Sequence, residues 1–113
     1  MQKHILFAGL LLAAMGLGSF GCASAGNQFT FAGPSTLQIG KTTKAQVLEQ
    51  YGEPFRAGYD NGNLKWTYGY YKYRLIGDTE TKDLVITFDK TGLVKGYDYQ
   101  TSMKEERQQI LNN

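Results

Sequence analysis

The sequence predicts an α+β domain in two layers, with a short N-terminal helix or helix pair packed on a three-stranded antiparallel β-meander. Three observations carry that expectation. Residues 39–54, IGKTTKAQVLEQYGEP, hold both a helix start and a helix stop. Three later stretches alternate apolar and polar residues with the period of two that a half-buried strand requires. The breaks between those stretches are polar, contain glycine and are short enough for neighbouring strands to run antiparallel.

The first 21 residues stand apart from this domain. Met1 to His4 carries one fixed charge, Lys3, and Ile5 to Leu17 is almost wholly apolar, the layout of an export signal and too short for a membrane span. Gly18, Ser19 and Gly21 then precede Cys22, the single cysteine of the chain. This order resembles a bacterial lipobox, in which cleavage leaves a lipid-modified cysteine as the first residue. Gly21 fits that pattern, whereas Ser19 and Phe20 depart from it. The signal is thus expected over residues 1–21, with Cys22 as the lipidation site. The alternative is an ordinary secretory cut at Ala23-Ser24-Ala25, which removes the cysteine.

Residues 22–38 are rich in Ala, Gly, Ser, Asn and Thr, with a turn signal at Gly33-Pro34. They read as a partly ordered, lipid-anchored tether. Phe29 and Phe31 alternate, either as a short docking strand or as sticky points of a linker, and the sequence leaves both open.

The domain proper is expected over residues 39–101. Thr43 followed by Gln46 makes a capping box, each side chain satisfying an orphan N–H of the first turn. Ala45, Val47, Leu48 and Tyr51 form an apolar stripe, while Gly52 and Pro54 end the helix, which is expected over about residues 44–51. A preceding helical turn around Ser35 to Ile39 would make the pair. The tripeptide Gly40-Lys41-Thr42 is not a phosphate-binding loop, because that motif needs a glycine where Ser35 stands. After the turn signal Asp60-Asn61-Gly62-Asn63, residues 64–76 alternate. Leu64, Trp66, Tyr68 and Tyr70 fall on one face, Lys65, Thr67, Gly69, Tyr71 and Tyr73 on the other. A polar loop over 77–83 leads to LVITFD, whose Leu84, Ile86 and Phe88 share a side. Asp89 to Gly92 turns the chain into the third strand, LVKGYDYQT. Val47, Leu48 and Tyr51 are expected to pack on Trp66, Leu84, Ile86 and Phe88. Ser102 and Glu105 suggest a second capping box, so residues 102–113 are either a short helix or a frayed tail.

Composition narrows the function. The one histidine, His4, lies in the signal, and a lone cysteine cannot form an intramolecular disulfide. Ser-His-Asp and Cys-His catalysis and the usual His/Cys zinc sites are therefore ruled out for the processed chain. No carboxylate pair is singled out by spacing, and the Asp78, Glu80, Asp83 cluster lacks a calcium-loop pattern. The expectation is a non-enzyme without cofactor or metal. The chain has 12 basic and 10 acidic residues, interspersed, which leaves no basic stripe for nucleic acid. Membrane attachment would fall to the acyl chains on Cys22. Ala23 after the cysteine, by resemblance to bacterial sorting rules, favours the outer membrane.

Eight tyrosines and one tryptophan exceed what one small core needs, and Trp66, Tyr68, Tyr70, Tyr71 and Tyr73 crowd into one strand. A three-stranded sheet with one helical layer leaves a face open. Tyr71 and Tyr73, with Tyr97 or Tyr99, would line it as an amphipathic contact surface. Ordinary cross-strand packing is the competing reading. The candidate partner-contact residues are Tyr70, Tyr71, Tyr73, Tyr97 and Tyr99.

Thr43, Val47, Gly52, Pro54, Trp66, Tyr68, Phe88, Asp89 and Gly92, in this order and roughly this spacing, resemble the SmpA/OmlA family of small BamE-like outer-membrane lipoproteins. The similarity runs from residue 39 to about residue 100; an extra residue between Gly40 and Thr43 departs from the commonest family spacing. The resemblance implies a two-layer domain without catalysis, anchored by lipid at the periplasmic face of the bacterial outer membrane. It further implies an adaptor or stabiliser in outer-membrane protein assembly or envelope integrity, with envelope proteins such as the β-barrel assembly machinery, and anionic phospholipid, as partners. The family fold also resembles that of proteinaceous β-lactamase inhibitors, so a periplasmic inhibitor or ligand-binding module is the alternative.

Overall fold

A computed structural model describes residues 22–113, and the expected signal over residues 1–21 lies outside the described residues. In chain order the elements are β1 (Cys22–Gly26), a 3-10 turn (Pro34–Thr36), α1 (Lys44–Tyr51), β2 (Arg56–Asp60), β3 (Asn63–Arg74), β4 (Glu80–Phe88), β5 (Val94–Thr101) and α2 (Lys104–Leu111). The α+β class is as expected, but the sheet has five antiparallel strands rather than three.

The two additional strands share one edge of β3. That strand is 12 residues long, and β4 covers only its other side. β2 pairs with its first half, Arg56 against Thr67, and β1 with its second half, Gly26 against Tyr70 and Cys22 against Arg74. β2 is the first arm of a two-residue hairpin that returns as β3. Asn61 and Gly62 both have positive φ, 51° and 81°, the twist-matched turn that an Asn-Gly pair favours. The stretch expected as a tether is therefore more ordered than the sequence suggested. Its first residues form β1, and Phe29 and Phe31 lie against the core as packed side chains, not as a strand.

Helix α1 begins and ends as its sequence dictates. The Gln46 N–H donates to Thr43 Oγ1 at 3.2 Å and the Thr43 N–H to Gln46 Oε1 at 3.0 Å, while Gly52 N–H closes on Leu48 O. The loop before it is laced to the start of β5, with Gly40 N–H donating to Val94 O and Val94 N–H to Thr42 O, both at 2.8 Å. This lacing seats α1 on one face of the sheet. Val47 and Leu37 there join Tyr68, Leu84, Ile86, Phe88 and Val94 in the buried core, with Trp66 edge-on to Phe88 at 4.7 Å. Leu48, expected inside, is instead 42% exposed: Val47 and Tyr51, four residues apart, share the face of α1 that meets the core, and Leu48 lies a quarter-turn round from it.

The helical turn expected over 35–39 is the single 3-10 turn at Pro34–Thr36. α2 forms, but without the Ser102 cap. Ser102 pairs with β4, its Oγ accepting from Thr81 N–H and its N–H donating to Thr81 O, each at 2.8 Å, and Met103 occupies the N-cap position with no side-chain bond. No helix among the described residues is long and apolar enough to cross a membrane.

Candidate functional site

Strand pairing decides which aromatic residues meet. On β3, Thr67, Gly69, Tyr71 and Tyr73 face away from α1, together with Thr81, Asp83, Val85 and Thr87 of β4 and Arg56 of β2. Tyr70 points to the other side, with Lys82 as its partner. Tyr97 and Tyr99 pair with Ile86 and Leu84, so they too lie on the helix-bearing face. The expected tyrosine surface thus divides into Tyr71 and Tyr73 on the open face, and Tyr70, Tyr97 and Tyr99 on the covered one.

The division has a single local cause. Alternation counted from the buried Val94 would send Tyr97 and Tyr99 to the open face. Phe88 pairs with Val94, however, while Thr87 pairs with Gly96, so Lys95 is an extra residue in β5. Such a bulge reverses every side chain beyond it.

On the covered face Tyr51, Tyr68, Tyr97 and Tyr99 belong to the core or pack against it, whereas Tyr70 lies outside that cluster. The Tyr99 ring stacks on Phe31 at 4.3 Å, and its hydroxyl donates to Glu106 of α2. Burial, reinforced by that acceptor, raises the Tyr99 pKa well above the ordinary phenol value. The Tyr68 hydroxyl donates to Gly52 O at 2.8 Å, and burial followed by the nearby Tyr51 pushes its pKa up to about 12. Lys82 is also buried here, with its ammonium 5.0 Å from the centre of the Phe29 ring.

The open face differs in kind. Tyr71 folds back over Gly69, where a Cβ would come within 2.8 Å of the ring, and its hydroxyl donates to Asp83 across the strand. Glycine at 69 is what lets the ring lie flat. Burial first and the Asp83 bond second raise the Tyr71 pKa. Phe55, in the connection to β2, lies 6.5 Å from the same ring, with the Arg56 guanidinium 5.8 Å above Phe55. Tyr73 lies two residues beyond, 53% exposed. Where β1 stops and β2 has not begun, Gly69 borders a cleft of about 240 Å³ lined also by Asn27, Phe29, Phe55 and Tyr68. Phe55 and Asp83 were not singled out by the sequence: Phe55 lies outside every periodic stretch, and Asp83 reads as part of a polar loop.

The larger depression, about 610 Å³, lies beside α1 and is lined by polar residues with one carboxylate, Glu49, and one ammonium, Lys41. The acidic cluster of the β3–β4 loop is dispersed. Glu80 pairs with Arg74 at 3.7 Å, and Asp83 accepts from Tyr71. Cys22 is the first described residue, its backbone paired to Arg74 at the far end of β3.

Residues 26–98, from the end of β1 into β5, match the family model described as the outer membrane protein assembly factor BamE domain. A search of curated proteins finds no match to the chain.

Proposed function

The chain belongs to the BamE domain family of outer membrane protein assembly factors, and on that premise we propose that it is a non-enzymatic adaptor, held at the periplasmic face of the outer membrane by acyl chains on Cys22. Its partners are envelope proteins of the β-barrel assembly machinery, which it contacts through the open face of the sheet. The observation that carries the reading is the contrast between Tyr73, more than half exposed two residues along β3 from the Tyr71 ring that meets Phe55, and an opposite face already filled by α1 and its approach segment. Exposed, ordered aromatic residues around a flat polar sheet make a surface that gains by covering apolar rings while their polar edges stay hydrogen-bonded.

Two properties support the absence of catalysis. The chain after residue 21 contains no histidine and one cysteine, and that cysteine is consumed by the anchor in this reading. The Tyr68 and Tyr99 hydroxyls are spent on hydrogen bonds within the fold, and their raised pKa values keep them protonated at neutral pH.

The test is affinity capture of the full, tagged chain from detergent-solubilised envelopes, with the mass of the mature N-terminus measured on the same sample. Co-purifying barrel-assembly components together with an acylated Cys22 support the proposal. Recovery of a soluble hydrolase in their place would favour the inhibitor reading, and an unmodified N-terminus in the water-soluble fraction would remove the anchor.

A further inference from the structure

The loop joining β3 to β4 carries the most exposed aliphatic side chains among the described residues. Leu75 is 82% and Ile76 is 90% exposed, followed by Gly77-Asp78-Thr79. No strand, helix or core residue uses them. Single exposed aliphatics are ordinary on a protein surface; two in succession at the tip of a hairpin make a small apolar patch that projects from the end of the sheet. The sheet register shows what lies next to that tip. β1 runs antiparallel to β3, with Ala25 opposite Tyr71 and Cys22 opposite Arg74, so the chain reaches residue 22 at the end of the sheet from which Leu75 and Ile76 project. Across one strand pair and one residue along, the Cα atoms of residues 22 and 75 are separated by less than about 10 Å.

We propose that Leu75 and Ile76 enter the outer boundary of the bilayer beside the acylated Cys22, giving the domain a second, non-covalent membrane contact and a fixed orientation. The inference rests on the acyl anchor of the preceding section and goes beyond it: an acyl chain alone tethers, whereas a tether plus a second contact at the neighbouring strand end restricts the orientation. With Cys22 acylated, a loop tip within about 10 Å of it lies near enough to the headgroup layer, about 5–7 Å deep on each side of the hydrocarbon, for two apolar side chains to reach it. Charge near the tip is mixed. Arg74 is paired with Glu80 at 3.7 Å and Asp78 follows, so the contact is apolar rather than a basic patch seeking anionic lipid. The opposite end of the sheet, Asp89-Lys90-Thr91-Gly92, is polar and turned in on itself by hydrogen bonds. With the tip in the bilayer, that end points into the periplasm and the open face stands along the membrane normal.

Depth-dependent quenching tests this on the full acylated chain. In mature protein the Cys22 thiol is alkylated, so Leu75→Cys supplies the one free thiol for an environment-sensitive dye, and Lys90→Cys supplies the comparison at the other end. In phosphatidylcholine vesicles bearing doxyl groups high on the acyl chain, the dye at 75 is expected to shift to the blue and lose most of its emission. The dye at 90 is expected to do neither, and adding Ile76→Asp to the first variant should abolish its response. Equal, water-like emission at both sites from protein whose mass shows acylation overturns the inference and leaves the anchor standing. A requirement for phosphatidylglycerol would assign the contact to Lys72 and Arg74 and overturn it too. Protection of the dye at 75 only when barrel-assembly proteins are added would make the tip a protein contact and likewise overturn the inference. An unacylated mass overturns both readings, and is seen before any emission is measured.

Discussion

Thr87 and Phe88 are neighbours in the chain and stand on opposite faces of β4. Phe88 is fully buried against Trp66 and beneath the segment led in by Leu37 and Val47. Thr87, one residue earlier, is half-covered on the face that also carries Tyr71, Tyr73 and Asp83. The covered face is held by contact among close-packed side chains, with three of its phenols tied to groups of the fold: Tyr68 to Gly52, Tyr51 to Thr36, Tyr99 to Glu106. The open face carries one ring over a glycine and one hydroxyl–carboxylate bond, and among the described residues Tyr73 has no such tie. The same residue type thus serves stability on one side and remains free for contact on the other. Residue type alone does not tell the two apart; strand register does.

Substitution at the neighbouring pair gives the largest expected effect. Phe88→Ala should cost about 3–5 kcal/mol, the range for emptying a buried aromatic site, out of the roughly 5–15 kcal/mol that holds a small domain together. Thr87→Ala should stay within about 0.5–1 kcal/mol. Urea unfolding followed by Trp66 fluorescence checks both, and equal losses would break the distinction between the faces.

Next in size is the seat of α1. Thr43→Ala removes one of the two reciprocal bonds of the capping box and should cost about 1 kcal/mol. Because the neighbouring residues 40–44 are also laced to β5, this loss should appear as a lower unfolding midpoint with an unchanged slope rather than as a detached helix.

The covered phenols predict an alkaline weakness. Tyr68 titrates at about 12 in the folded chain and near 10 when unfolded, so the folded state holds its proton more tightly. The contribution is fully present below pH 10 and lost as pH rises through about 12; Tyr68→Phe should flatten that loss. Asp89 works in the opposite sense. The Thr91 hydroxyl, then the Leu93 and Thr91 N–H groups, hold its carboxyl below the ordinary value of 3.8. Stability from this turn is present above pH 3.8 and lost as pH falls through the lower folded value. Asp89→Asn should remove that part of the acid sensitivity, a small effect because the turn is exposed.

Much of this fold was legible in the sequence. Thr43, Gln46, Gly52 and Pro54 specify α1 by local hydrogen bonding, and the alternation in β3, β4 and the start of β5 is set by burial on one side. β1 and β2 were not legible, because CASAG and RAGYD have little strand preference of their own. They are strands because a 12-residue β3 exposes backbone groups along an edge that only other backbone can fill, a long-range cause no local window contains. The site was half legible for a related reason. Parity along β3 correctly separated Tyr70 from Tyr71, but the extra residue at Lys95 reversed Tyr97 and Tyr99, and the one local hint in VKGYDY was Gly96, a residue type that often marks a bulge inside a strand.

Tyr73 carries the smallest expected stability effect and the largest functional one. Tyr73→Ala should change unfolding free energy by no more than about 0.5 kcal/mol. The most direct measurement of the adaptor account is site-specific photocrosslinking in living cells, with a photoreactive phenylalanine replacing Tyr73 in one variant and Tyr97 in another. The account expects a protein adduct containing a barrel-assembly component at position 73 and none at position 97. Adducts at 97 alone, or at neither position in a correctly acylated and folded chain, would contradict it.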